Sequence, residues 1–552
     1  MSSTSPSATA PLPGSGELPR PSANPRDVFR ALSGLLMGMF VAIVSGTVVA
    51  TSLPRIIADL GGGQSAYTWV VTASLLAMTV TTPIWGKFAD LFDRKTLVQV
   101  SLVIFVLGSM LAGLSESAGM MIGFRVLQGV GVGGLTALVQ IVIADLISPR
   151  ERGRYAGIMG SIMAVGSAGG PLLGGLVTDS IGWRWNFYIM VPFALIAIVV
   201  LQRTLHLPKR QRAAVSIDYL GATLIAAAVS LLLIWVSLAG GQFAWVSVTS
   251  TLMLGGTVVL AMLAVRVERR ASEPMIPLTL FRNRTVLFSI LASISVGIAM
   301  FGVSVFLSQY MQLARGRTPT ESGLLTLPLV AGSLVASTWF GLRISRTGRW
   351  KPVVVGGSFA LLAGLAAMGT IRADTNLVLL AVYMAAVGTG MGMLLQNLVL
   401  VTQNAVPASQ LGTASASVSF FRSLGGVVGV GVMGALLASR VGTLTTDGLN
   451  RIGAPSSGGA SGEIPVLSEL SAPVRGVVEA AYGQAIGEVF LVIVPLAILT
   501  VVMVLLLPDR PLGTRTAVEE LAEEQAAARS AAPLAASPRG TPLVPVASGA
   551  RR

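Results

Sequence analysis

About fourteen stretches of this chain are long and apolar enough to cross a bilayer, and no other feature limits its fold as strongly. In hydrocarbon a backbone must satisfy its own hydrogen bonds, so each stretch of roughly 20 apolar residues is expected to be a helix. The candidate spans are 31–53, 67–85, 96–114, 118–146, 155–178, 185–204, 219–239, 246–267, 286–310, 321–344, 352–371, 375–403, 412–438 and 487–507. Charged residues make up 11% of the chain and its mean hydropathy is +0.77. A soluble domain carries about 25% charge, so most of the outer surface here must face lipid. The fold class expected is an all-α polytopic membrane protein.

Orientation follows from where the basic residues fall. With the N-terminus inside, the short inner loops hold 19 Lys and Arg and the outer loops 8. Cytoplasmic loops accumulate such residues, so both termini are expected in the cytoplasm. The same bias explains the net charge of +14 without a nucleic-acid partner. Residues 1–28 and 511–552 read as polar, disordered cytoplasmic tails. Between them lie an N-terminal six-helix half (29–205), two inserted helices (206–270) and a C-terminal six-helix half (271–510). Segment 440–486 reads as one long outer loop, with a short surface helix over 466–486. The chain has no cysteine and a single histidine, His206, in a basic stretch, so neither a metal centre nor a cofactor is expected. No Gly-x-x-x-x-Gly-Lys-Ser/Thr string occurs, which points to an ion gradient rather than ATP as the energy source. Clustered His, Cys or mid-span carboxylates, which an enzyme within the membrane would need, are absent from the sequence.

The two ends of the membrane region repeat each other, and from span four into the loop after it the offset to span twelve is constant at 259 residues. Gly129, Gly131 and Gly133 align with Gly388, Gly390 and Gly392, Asp145 with Asn404, and Gly153 with Gly412. The inner loop from Gly86 aligns with that from Gly341, placing Arg94 on Arg349. Spans one to six thus recur as nine to fourteen, and two such halves flanking a midplane site are a recurrent transporter plan.

Three motifs carry chemistry. The loop Gly86-Lys87-Phe88-Ala89-Asp90-Leu91-Phe92-Asp93-Arg94 holds charges close to helix ends, where they can latch neighbouring helices or face a helix N-terminus. Asp145, at the inner end of span four, is the natural partner for Arg94. Span four also contains Arg125 and Gln128, three residues apart and so on one face. A buried Arg faces a cavity or a partner unless it snorkels to the interface. Span five reads Gly166-Ser167-Ala168-Gly169-Gly170-Pro171-Leu172-Leu173-Gly174-Gly175, small residues for close packing around a proline that removes a backbone bond. Together with the Trp183-Arg184-Trp185-Asn186-Phe187-Tyr188 string, these resemble the signatures of the major facilitator superfamily, in its fourteen-span drug:proton antiporter branch. The resemblance covers almost the whole of the spanning region. It implies two six-helix halves plus two inserted helices, a gating role for Gly86, Asp90, Arg94 and Asp145, a hinge at Gly166, Gly170, Pro171, Gly174 and Gly175, and export of drugs or similar amphipathic molecules from a bacterial plasma membrane, by a monomer, in exchange for protons.

One departure bears on coupling. Where that branch commonly carries an Asp in span one, this chain has Ser45, which cannot hold a proton at useful pH. Among the acidic residues Asp179, after the glycine-rich span, is the candidate for proton relay, beside Arg125 and Gln128 as relay or substrate contacts. Gln128, Gln140, Gln396, Asn397, Gln403 and Arg422 are candidates for a polar cavity lining, with helix packing as the alternative for the amides. A lack of central carboxylates favours neutral, zwitterionic or anionic amphiphiles at least as much as cations. Dedicated transport of one endogenous metabolite by the same fold is the alternative to drug export.

Overall fold

Every expected span is helical in the computed structural model, which describes residues 25–61, 64–205, 218–240, 242–271, 274–317, 319–453, 470–514 and 519. The first half comprises α1 (Pro25–Asp59), α2 (Gln64–Leu91), α3 (Arg94–Gly113), α4 (Ala118–Leu146), α5 (Pro149–Ser180) and a sixth span broken into α6 (Trp185–Tyr188) and α7 (Val191–Thr204). The inserted pair is α8 (Tyr219–Leu238) and α9 (Val248–Glu268). The second half comprises α10 (Arg284–Gln309), a span divided into α11 (Pro319–Leu325) and α12 (Leu327–Thr347), then α13 (Lys351–Met368), α14 (Leu377–Gln403), α15 (Leu411–Arg451) and α16 (Ala472–Leu505). Among the described residues 13 helices are long and apolar enough to span a membrane. The fourteenth span is α5, whose 32 residues include a glycine-rich, less apolar middle that packs against other helices.

Prolines and caps set the breaks. Pro192 and Pro328 each sit at the start of a new helix, where a missing N–H costs nothing. Asp93, Ser117, Asp218, Ser247, Asn283 and Asn376 cap the helices that follow them with a side-chain oxygen.

The repeat is visible in the packing. α2 and α4 form a close pair, as do α12 and α14; α3–α4 matches α13–α14, α1–α5 matches α10–α15, and α1–α7 matches α10–α16. Glycines explain how. A Cβ at Gly129 or Gly133 would lie 2.4 Å from Ser74 O or 2.8 Å from Met78 O of α2. At the equivalent Gly388 and Gly392 it would lie 2.0 Å from Leu329 O and 2.3 Å from Ser333 O of α12. Gly131 and Gly390 turn the other way, onto Phe105 of α3 and Leu361 of α13. In lipid no hydrophobic drive joins helices, so contact at this range supplies the dispersion energy instead. The two halves then meet along two seams, α2 with α15 and α5 with α12, and α8 covers the first of them.

Three expectations about the ends need correction. Segment 440–486 is mostly helix rather than loop: α15 continues to Arg451 and α16 begins at Ala472, with 454–469 outside the described residues. The extensions persist because they pack together. Arg440 and Glu488 form a forked ion pair at 2.5 and 3.1 Å, and Leu449, Val478 and Ala481 stay buried. The first helix starts at Pro25, inside the segment expected to be a tail, while 1–24 lie outside the described residues. After α16 the chain folds back on the bundle: Asn404 donates to Pro511 O at 3.2 Å and accepts from Gly513 N at 2.9 Å. Of the remainder, 515–518 and 520–552 are outside the described residues.

The seam between α1 and α5 yields a test. Gly166, Gly170 and Gly174 line one face of α5 against Ile43, Thr47 and Val48, and α5 runs through Pro171 without interruption. Thr47 and Ser52 donate to Gly166 O and Gly174 O at 3.2 and 3.3 Å. A Cβ at Gly174 would sit 2.7 Å from Val48 O, whereas one at Gly175 meets nothing within 4 Å. Gly174→Val is expected to lower stability by about 1–3 kcal/mol and Gly175→Ala by less than about 0.5 kcal/mol. Thermal unfolding of the detergent-solubilised protein reads the difference, and equal melting of the two variants would refute this account of the seam.

Candidate functional site

A cavity of about 450 Å3 lies between the halves, bordered by α1, α2, α4 and α5 on one side and α10, α14 and α15 on the other. That volume suits a small organic molecule. Much of its wall is thioether: Met39, Met78, Met159, Met163 and Met300. Met side chains are flexible and polarizable, so they accommodate varied apolar shapes. The chain contains 21 Met, and only the fold shows which of them converge.

Polar groups interrupt this wall on several helices. Arg125 is 6% exposed, donates through Nε to Val70 O at 3.2 Å and through a terminal nitrogen to Gln128 Oε1 at 2.6 Å. Gln128 donates in turn to Ser45 Oγ and Ser109 Oγ, each at 3.1 Å, and Ser109 donates to Phe187 O at 3.0 Å. This chain ties α4 to α1, α2, α3 and α6, and it places Ser45 as an acceptor beside the cavity. Gln140, Gln396 and Arg422 border the same space. Gln396 reaches across to the Met163 sulfur at 3.9 Å, and Arg422 donates to Leu395 O at 3.4 Å. Gln403, expected in the cavity, is instead buried in the latch described next, and Asn397 is buried within its own helix on Met393 O. Asp179 and Pro171 lie in α5, but their side chains are outside the described set.

At the end of the bundle that holds the basic loops, the halves are joined. Asp90 accepts from Gly412 N at 3.0 Å, Thr413 N at 2.9 Å and Thr413 Oγ1 at 2.6 Å. A carboxylate from the first half therefore caps the N-terminus of α15 in the second, where amides are unpaired and the helix dipole is positive. Gly86 lets the helices meet, since a Cβ there would fall 2.2 Å from Ala416 Cβ. Arg94 orders the loop: it pairs with Asp145, lies 3.5 Å from Asp90, and donates to Ala89 O at 2.8 Å. Gly86, Asp90, Arg94 and Asp145 thus form one assembly.

Sequence reading missed the second part of this closure. Arg152 donates to Ile147 O and Ala144 O at the end of α4, at 2.8 and 2.7 Å, and across the halves to Gln403 Oε1 at 2.9 Å. Gln403 also donates to Ser415 Oγ at 2.9 Å. Arg150 donates to Ser345 O and Arg346 O at 3.3 and 3.1 Å. The repeat alignment held a partial signal, since Gly412 pairs with Gly153 in the Arg-rich loop. The second copy does not reproduce the first: Arg349 is exposed and Asn404 holds the C-terminal segment instead.

Because the chain has no native cysteine, closure can be read with a single introduced thiol. Ser415→Cys places it in the buried latch. Adding Asp90→Ala removes a helix cap, a change of about 1 kcal/mol or about fivefold in the open fraction. Labelling of the thiol by a water-soluble maleimide is expected to speed up by that factor. An unchanged rate would show that Asp90 does not hold this end shut.

The same architecture occurs in known proteins. The Major Facilitator Superfamily pattern matches residues 35–430. An uncharacterised MFS-type transporter of Mycobacterium tuberculosis is 35% identical over 87% of this chain and 69% of its own length. The multidrug transporter protein MdtP of Bacillus subtilis is 35% identical over 76% of this chain and 77% of its own. Among solved structures, the proton:xylose symporter XylE superposes with a TM-score of 0.58 at 13% identity, covering 90% of this chain and 99% of that one, which is a likeness of fold. The pattern match and these identities establish that this multi-pass membrane protein belongs to the Major Facilitator Superfamily.

Proposed function

We propose that the protein exports amphipathic small molecules, drugs or antibiotics among them, from the cytoplasm of a bacterium across its plasma membrane, in exchange for protons and by alternating access. The observation that carries this reading is the placement of the cavity relative to the latch. Among the described residues, the hydrogen bonds that cross between the halves, apart from that of Gln396 to Met163, gather at the basic end, and the substrate-sized space lies in the same interface. A carrier of this kind works by making and breaking such contacts at each end in turn. The excess of basic residues puts the latched end, and both termini, in the cytoplasm. MdtP, a relative named as a multidrug transporter, supports drugs as the substrate class. The Met-lined wall supports loose rather than exacting recognition.

In this reading Gly86, Asp90, Arg94 and Asp145 close the cytoplasmic end. Arg125, Gln128, Gln396 and Arg422 meet the substrate. Gly166, Gly170 and Gly174 hold α5 on α1, so that the pair moves as one unit. Asp179 carries the proton, and one protomer suffices. The two six-helix halves, 29–205 and 271–510, rock against each other, and the inserted helices of 206–270 ride with the α2–α15 seam.

Cells expressing the chain are expected to accumulate less of several dyes and antibiotics than cells with an empty vector, and a protonophore is expected to abolish the difference. Lack of any difference across a broad panel would move the assignment to a dedicated carrier of one metabolite. Asp179→Asn is expected to leave export without its dependence on external pH. Wild-type efflux and pH dependence in that variant would rule out Asp179 as the proton carrier.

A further inference from the structure

Two guanidinium groups, Arg125 and Arg422, border the cavity, and no carboxylate does so among the described residues. Their hydrogen bonds go to neutral acceptors: Val70 O and Gln128 Oε1 for Arg125, Leu395 O for Arg422. Neither has an ion-pair partner among the described residues. Uncompensated positive charge inside a bilayer is costly, and it is relieved by an anion or by water. When the cavity closes and dries, an anion held between the two groups offsets that cost, while a cation adds to it. Gln140 and Gln396 border the same cavity, while both amide hydrogens of Gln128 are held by Ser45 and Ser109.

An apolar space lies next to the cavity. This second space, of about 640 Å3, lies beneath α8 and is bordered by Val236, Val305, Val427, Val430 and Gly434, with no charged residue in its wall. Val71, Leu75 and Phe301 border both spaces, so three side chains form the partition. The ring of Phe301 lies against Gly426, where a Cβ would clash with it. The end of α8 and the turn after it form one side of this second space: Val236, Gly240 and Trp245 help to wall it, and Trp245 stacks edge-on with Trp235.

We propose that the substrate is an anionic amphiphile, with its acidic head between Arg125 and Arg422 and its alkyl or aryl tail passing Phe301 into the apolar space under α8. This rests on the export reading and narrows it to one chemical class. It also gives the inserted helices a purpose, since they complete the tail site on one seam only.

Equilibrium binding to the full chain in lipid nanodiscs tests this without a gradient or a direction of transport. The probes are decyl sulfonate and decyltrimethylammonium, read by tryptophan fluorescence with empty nanodiscs subtracted. The sulfonate is expected to bind at least about tenfold more tightly. Arg422→Gln is expected to bring the two within about twofold, and Arg422→Lys to keep most of the preference, which separates loss of charge from loss of fold. A Cβ at Gly434 meets nothing within 4 Å, so Gly434→Leu fills the tail site without strain. It is expected to weaken decyl sulfonate at least several-fold, with about 50- to 200-fold, the full burial of three to four methylenes, as the upper bound, and to leave hexyl sulfonate unchanged. Equal or tighter binding of the ammonium by the unaltered protein overturns the proposal, as does an undiminished preference in Arg422→Gln. An unchanged decyl advantage in Gly434→Leu overturns the tail placement. Sulfonate binding in a protein that fails the efflux assay would refute export and leave the ligand class standing; efflux of dyes with no sulfonate binding would do the reverse.

Discussion

Helices in a bilayer gain nothing hydrophobic by leaving lipid for one another, so this bundle depends on backbones brought close enough to attract directly. Gly129, Gly131 and Gly133 put α4 against α2 and α3, and Gly388, Gly390 and Gly392 put α14 against α12 and α13. Gly166, Gly170 and Gly174 do the same for α5 on α1. Each half is thereby a stiff block, cross-tied by few polar bonds. The chain Arg125–Gln128–Ser45–Ser109 and the cluster of Asn186 with Ser52 and Thr178, at 2.6 and 2.7 Å, are such ties within the first half. Stiff halves can be moved by a small number of contacts at their ends.

Those contacts are polar and reversible. Asp90 on the N-terminus of α15 and Arg152 on Gln403 are bonds that water can replace once the end opens. An apolar closure of equal area would have no such exchange available. Arg94 and Asp145 stay within the first half and hold Asp90 in place, so the loop arrives at α15 already ordered. A latch of modest strength suits a carrier, because a large gap between open and closed states would trap it in one of them.

The two halves repeat each other, yet the two seams between them are unequal. One is capped by Asp90 and covered by α8; the other relies on Arg150 reaching backbone carbonyls, with Arg349 exposed and Asn404 tied to the C-terminal segment. The difference is chemical as well as geometric. The covered seam has an apolar space beneath it, parted by Val71, Leu75 and Phe301 from the central cavity, whose wall holds two arginines and five methionines.

How far the sequence reaches depends on the kind of determinant. Span length and hydropathy settled helix number and type, because a bilayer admits few alternatives. The 259-residue repeat identified the glycines that meet again in equivalent packing roles, since close approach tolerates no side chain. Sequence also placed Asp145 and Arg94 at ends of neighbouring spans. It could not decide which polar groups share a space. Gln396 and Gln403 are seven residues apart on α14, yet one borders the cavity and the other belongs to the latch, because burial changes with depth along the helix. The low hydropathy of 440–451 and 472–486 suggested a loop, and only the pairing of α15 with α16 made helix of both. Arg152, Thr413 and the cavity methionines likewise carry no local pattern that marks them. Their roles arise from contacts between residues hundreds of positions apart, which periodicity along one helix does not encode.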